Sequence, residues 1–337
     1  MRGLEVRYPR LAAMLARADL GVCETPVEWW QVDGVTMLAK RDDLTAAACG
    51  GNKVRALEFL LGRVKPGRTL LTVGATGSTH ALAVAVHGTR LGLRTQVITW
   101  PQETHRVAHA TSIRLRTLAV VTPARSVAEA YVRVAMRRLR GGVHWIPAGG
   151  SVPLGAIGHA AAGLELAEQL ARGGFPLPDQ IVAPLGSGGT VAGLLVGFAL
   201  AGLEARVVGV RVVPRLVANR TRVLRLAART HALLTRLTGV TLPPIQARRL
   251  EIHDDAYGGA YGRESDAARL AADALANAGG PRLDSTYSAK AFGVALQRAR
   301  YAPDERILFW LTFDGRWLAR GNDVPPTTRP TITPRPR

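Results

Sequence analysis

The chain has 337 residues, 47% of them hydrophobic and 20% charged, which suits one large or two medium globular domains and excludes a disordered chain. Its 44 basic residues against 25 acidic ones give a formal charge of +19, a balance that would suit a nucleic-acid binder if the basic residues clustered. The richest basic runs, Arg133 to Arg140 and Arg215 to Leu237, instead have helical apolar spacing and read as solvated faces, and 5% aromatic residues leaves little for base stacking.

In chain order, the opening "MRGLEVRYPRL" lacks the apolar core of a signal peptide, and the longest apolar run, near Val191 to Leu203, is too short to span a bilayer. A soluble cytoplasmic protein without a membrane segment is expected. Cys23 and Cys49 are the only cysteines, too few for a disulfide framework and suited to a reducing compartment. "KRDDL" then places Asp42 beside Asp43; read as adjacent strand residues they point to opposite faces, which predicts salt bridges rather than joint acid/base work. From Thr69 onward, apolar β-rich runs alternate with helical patterns. "TLLTVG" precedes Ser78 to Leu91, "TQVITW" precedes Thr104 to Arg116, "LAVVTP" precedes Val127 to Arg140, and "GVHWIP" precedes Gly155 to Arg172. The rhythm resumes with "QIVAPL", a helix from Thr190, "RVVGVRVV" and "RILFWLTF". Strands apolar throughout, separated by helices, predict an α/β protein with largely parallel sheets covered on both faces. The final "PPTTRPTITPRPR" predicts a disordered tail, residues 321–337.

Four sites in this framework invite chemistry. Only four of the 44 basic residues are lysine (Lys40, Lys53, Lys65 and Lys290), and Lys53 stands in "CGGNKVRALEFL". A lysine amine can lose its proton and attack a carbonyl, whereas a guanidinium cannot, so Lys53 is a candidate Schiff-base nucleophile as well as a structural cation. "PLGSGGTVAGLL" (Pro184 to Leu195) joins a strand to a helix, and its small residues allow backbone N–H groups to converge on an anion or the turn to pack tightly. It lacks the spacing of a nucleotide P-loop or a dinucleotide fingerprint. "GATGSTHALAVA" (Gly74 to Ala85) puts Ser78 and Thr79 at a helix start, as a plain cap or a second anion site. "HRVAH" spaces His105 and His109 as metal ligands are spaced on a helix, but without an adjacent Glu or a third ligand no metal is expected.

Together these motifs resemble the fold-type II pyridoxal-phosphate enzymes, and most closely the 1-aminocyclopropane-1-carboxylate deaminase and D-cysteine desulfhydrase family. The matching text is "KRDDLTAAACGGNKVRALEFLLG", "IPAGGSVPLGAIGHAAAGLELAEQL", "GSGGTVAGL", "YGGAYG" and "LDSTYSAKAFGVAL", spread from about Pro26 to Gly315. The resemblance implies a large cofactor domain (1–54 and 161–320), a smaller α/β domain (55–160), an active-site cleft between them, and a homodimer. It implies pyridoxal 5'-phosphate linked to Lys53 beside Asn52. Gly186, Ser187, Gly188, Gly189 and Thr190 would hold the phosphate, and Thr312 would meet the pyridine nitrogen. It implies that Ser78, Tyr261 and Tyr287 face a small amino-acid substrate and that Thr79 replaces the family Asn at the cofactor's phenolic oxygen. Ser288 stands where the ring-opening deaminases carry Glu, which implies β-elimination with deamination rather than ring opening. Phe313, where relatives have a small residue, implies a reshaped pocket. The other readings are a biosynthetic enzyme, by β-replacement or another amino-acid transformation, and a non-catalytic nucleic-acid-associated protein.

Overall fold

The computed structural model describes residues 3–103 and 106–316. The tail at 321–337, and His105 of the His105/His109 pair, lie outside the described residues. Within these, residues 3–63 and 149–315 form one compact unit and residues 64–148 another.

The first unit begins with two short helices, α1 (Gly3–Arg7) and α2 (Arg10–Met14), then strands β1 (Val27–Val32) and β2 (Val35–Arg41), and helix α3 (Asn52–Leu61). Asp33 and Gly34, both at positive φ (49° and 74°), turn β1 into β2 as an antiparallel hairpin. The second unit alternates without interruption: β3 (Thr69–Ala75), α4 (Thr79–Arg90), β4 (Thr95–Trp100), α5 (Arg106–Leu118), β5 (Val120–Pro123), α6 (Val127–Leu139) and β6 (Val143–Trp145). The chain then returns to the first unit with α7 (Pro153–Ala171), β7 (Gln180–Leu185), α8 (Gly189–Ala201), β8 (Arg206–Arg211), α9 (Arg220–Thr238) and β9 (Leu250–His253). It finishes with α10 (Asp266–Asn277), α11 (Ser288–Tyr301) and β10 (Ile307–Leu311).

The first unit's sheet has the order β1-β2-β10-β7-β8-β9, parallel throughout except for the β1–β2 hairpin. The second unit's sheet, β5-β4-β3-β6, is wholly parallel. Every residue of β7 and β10 is buried, as the unbroken apolar runs predict. Their alternation sorts the two cores: Ile181, Ala183, Leu308 and Trp310 pack with α3, α7, α8 and α9, while Val182, Ile307, Phe309 and Leu311 pack with α10 and α11. α8, apolar on all sides, is correspondingly buried along nearly its whole length.

Two points differ from the sequence pattern. The resemblance implies divisions after residues 54 and 160; in the structure α3 and α7 run unbroken within the first unit, whose bounds fall after residue 63 and before residue 149. Asp42 and Asp43 lie in a single turn of 3-10 helix (Asp42–Leu44) instead of a strand. They do form salt bridges: Asp43 with Arg41 at 2.9 Å, and Asp42 with Arg55 of α3 at 2.7 Å. Arg55 also reaches Glu165 of α7 at 2.9 Å, and Glu165 meets the fully buried Lys40 at 2.6 Å. The Trp310 indole donates to Asp42 at 2.9 Å, so this ionic cluster joins β2, α3, α7 and β10 beneath the start of α3. Among the described residues no helix is long and apolar enough to cross a membrane, and no three His, Cys, Asp or Glu side chains group to hold a metal ion.

Candidate active site

Lys53 is the second residue of α3, and the Gly-Gly turn before it is fastened to the chain leaving β10. Gly51 has φ +91°, and a Cβ there would lie 2.6 Å from the carbonyl oxygen of Thr312, so only glycine fits. The Asn52 N–H donates to that same carbonyl at 3.1 Å, and the Gly50 N–H donates to Asp314 Oδ2 at 2.9 Å. Arg55, one half-turn on, anchors the helix from below through Asp42 and Glu165. The Lys53 amine itself makes no hydrogen bond among the described residues. Burial lowers its pKa to about 8, against the opposing pull of the Asp284 carboxylate. About a tenth of the amine is therefore unprotonated at pH 7, far more than for an exposed lysine, and this is the form in which it is a nucleophile or base.

The loop between β7 and α8 forms a cradle. Gly188 enters α8 at φ +93°, and among the described residues the N–H groups of Ser187, Gly188, Thr190 and Val191 have no acceptor within the chain. The Gly189 N–H donates to Ser151 Oγ at 3.1 Å, and Ser151 and Ser187 share a hydroxyl hydrogen bond at 2.7 Å. Open N–H groups at the positive end of a helix, flanked by hydroxyls, suit a phosphate. Asn52 links this cradle to the lysine: its side-chain amide donates to Thr190 Oγ1 at 2.8 Å.

Tyr261 and Tyr287 are hydrogen-bonded through their phenol oxygens, with ring centroids 6.0 Å apart and planes at 76°. A Cβ on Gly186 would come within 3.0 Å of the Tyr287 ring, which places the pair against the cradle. Asp284 fixes the start of α11 by accepting the N–H groups of Tyr287 (2.7 Å) and Ser288 (3.0 Å). Burial pushes the Tyr261 phenol up to about 12 and the Tyr287 phenol well above its ordinary value, with Asp284 adding to both, so both stay protonated at neutral pH. Ser288, fully buried, leaves its hydroxyl without a partner among the described residues.

Lys53, Asn52, Gly186 to Thr190, Tyr261, Tyr287 and Thr312 thus all belong to one connected region of the first unit. Ser78 and Thr79 belong to the second unit. There Ser78 caps α4, its Oγ accepting the Ala81 N–H at 3.2 Å, and Thr79 is the first helical residue. Three residues of the region lie inside the matching blocks, yet the motifs assign them no role. Ser151 stands in a short small-residue run before Pro153, which signals a loop and no more. Asp284 has no acidic or basic neighbour in sequence to single it out. His159 of α7 is 2% exposed, with Nδ1 lacking a partner among the described residues. Its pKa is pushed down to about 3 by burial and by the nearby positive charges of Lys53 and Arg55.

A partly deprotonated lysine yoked to an anion cradle, carried on a parallel α/β sheet, defines an enzyme that holds a phosphorylated carbonyl cofactor. The chain belongs to the family described as pyridoxal-phosphate dependent enzyme, whose model matches residues 19–312. It is 38% identical over 304 residues to the Nocardicin C-9' epimerase of Nocardia uniformis, covering 85% of this chain and 90% of that protein. It is 33% identical over 320 residues to the D-cysteine desulfhydrase of Serratia proteamaculans, covering 88% and 93%. Among solved structures, an ACC deaminase homologue superposes with a TM-score of 0.76 at 27% identity, covering 91% of this chain and 94% of that one. The expected family, α/β fold and pyridoxal 5'-phosphate cofactor are accordingly those of the protein. The residues present fit that group: the cradle supplies N–H and hydroxyl donors for its phosphate, and Lys53 supplies the amine for its aldehyde.

Proposed function

We propose that this chain is a pyridoxal-phosphate dependent lyase that deaminates small amino acids carrying a β-leaving group, with D-cysteine as the leading candidate. The hydrogen bond from Asn52 to Thr190 carries the proposal, because it fixes the lysine helix to the anion cradle. When bound, the cofactor draws electrons away from the substrate's Cα. Lys53, Ser151 and Gly186 to Thr190 would hold it, and Thr312 would offer a neutral hydroxyl to its ring nitrogen. The Lys53 amine, whose burial lowers its pKa to about 8, would take the proton from Cα. Tyr261 and Tyr287, kept as phenols, donate to the departing β-group. The Cα–H and Cβ–X bonds break, X leaves with a proton, and water releases ammonia and the keto acid. The roles implied by the resemblance for Ser78 and Thr79 belong to the same proposal. So do a homodimer, a cytoplasmic setting and the absence of a nucleic-acid partner.

A second reading is favoured by the relative named an epimerase. The same Lys53 would remove the Cα proton, and a proton would return to the opposite face without loss of a β-group. Incubation with D- and L-cysteine in heavy water separates the two. The lyase releases sulfide, ammonia and pyruvate; an epimerase gives the inverted amino acid with deuterium at Cα and no keto acid. Neither product from any small amino acid, with cofactor bound, would refute both.

A further inference from the structure

Two hydrogen bonds tie the loop that carries Tyr261 to the start of α11. One joins the phenols of Tyr261 and Tyr287. The other runs from Lys290 Nζ to the carbonyl oxygen of Tyr257, at 2.9 Å. Tyr287 and Lys290 are three residues apart and so share a face at the helix start. Tyr257 and Tyr261 are four apart on the loop, so the two bonds act as a double clasp. The loop needs one: Gly258, Gly259 and Gly262 have φ values of 70°, 81° and 86°, and such a glycine-rich segment has much freedom to lose.

Lys290 is an expensive way to build a merely structural contact. It is 2% exposed, and among the described residues no carboxylate pairs with it. Burial lowers its pKa, and the like charge of Arg263 adds to that. A buried ammonium without a counter-ion is destabilising, and methionine would fill the same volume without that cost.

On the functional reading above, we propose that Lys290 is a positioning residue: its ammonium clasps the Tyr257 carbonyl and thereby holds the Tyr261 hydroxyl on that of Tyr287. It touches neither cofactor nor substrate and acts through the tyrosine pair. The test compares the whole protein with Lys290→Met and Lys290→Arg, first without cofactor or substrate. Loss of one charge-assisted hydrogen bond should speed amide exchange across residues 254–263 by about tenfold or more. One additional phenol should ionise near the ordinary value of about 10 in an ultraviolet titration, with circular dichroism confirming the fold. With cofactor bound, the visible absorption should match wild type, while KM rises about tenfold and kcat changes less. The arginine variant, which keeps the charge but not the compact head, should show the same pattern and serves if the methionine variant does not fold. A folded variant with wild-type loop exchange and wild-type phenol titration would overturn the proposal. Because both readouts use the protein without cofactor, they stand even if the lyase and epimerase assays both fail.

Discussion

Replacement of Arg55 by methionine probes the ionic cluster beneath Lys53. Arg55 is 3% exposed, and its Nε and Nη2 donate to Asp42 at 2.7 to 3.1 Å, while Nη1 and Nη2 donate to Glu165 at 3.0 and 2.9 Å. Without it, the fully buried Asp42 keeps only the Thr25 hydroxyl and the Trp310 indole as side-chain donors among the described residues. Removing one member of a buried ion pair costs about 3–5 kcal/mol, a large part of a typical stability of about 5–15 kcal/mol. Urea denaturation at pH 7 should show that loss as a lower midpoint. The pH profile gives an independent check. Arg55 and Lys40 outweigh burial and hold the Glu165 carboxyl at about 2, below its ordinary 4.5. A depressed carboxyl stabilises the fold fully above the unfolded value and loses that contribution as pH falls through the folded one. The window is therefore pH 4.5 down to 2, worth about 3 kcal/mol in the wild type. Arg55→Met should flatten that decline, since Lys40 alone remains. A loss under about 1 kcal/mol with an unchanged acid profile would refute the view that this cluster anchors α3.

Two further substitutions test the cofactor site. Gly51→Ala adds a Cβ 2.6 Å from the Thr312 carbonyl at a φ of +91°, so the turn must shift; cofactor affinity should fall by about tenfold or more in an absorption titration. Unchanged affinity would mean that the turn relaxes without moving Lys53. Ser151→Ala removes the acceptor of the Gly189 N–H and the partner of the Ser187 hydroxyl, and should weaken cofactor binding by about 1 kcal/mol, with inorganic phosphate protecting the variant less well against thermal unfolding. Equal protection of wild type and variant would remove Ser151 from the cradle.

The parallel sheets were legible because β10 is apolar at every position and β7 at every position after Gln180, as burial on both faces demands. The β1–β2 hairpin was passed over although Asp33-Gly34 is a strong turn signal; its strands mix buried and exposed positions and break the helix-strand rhythm that begins at Thr69. Asp42 and Asp43 were legible as ion-pair members but not as a 3-10 turn, because Asp42 is held by Arg55 and Trp310, thirteen and 268 residues away. Lys53 stood out through the scarcity of lysine. Lys290 carried the same signal, yet its significance depends on burial and on a backbone carbonyl that no side-chain motif records. Ser151 and Asp284 were invisible for the same reason: each acts by accepting backbone N–H groups, which any sequence supplies.

The most direct measurement is the visible absorption spectrum of the protein supplied with pyridoxal 5'-phosphate, before and after borohydride, beside Lys53→Ala. The expected result is a yellow protein whose band borohydride abolishes, leaving the reduced cofactor on the peptide that contains Lys53, and no such adduct in the alanine variant. A folded wild-type protein with no band, or an adduct on Lys40, Lys65 or Lys290 instead, would contradict it.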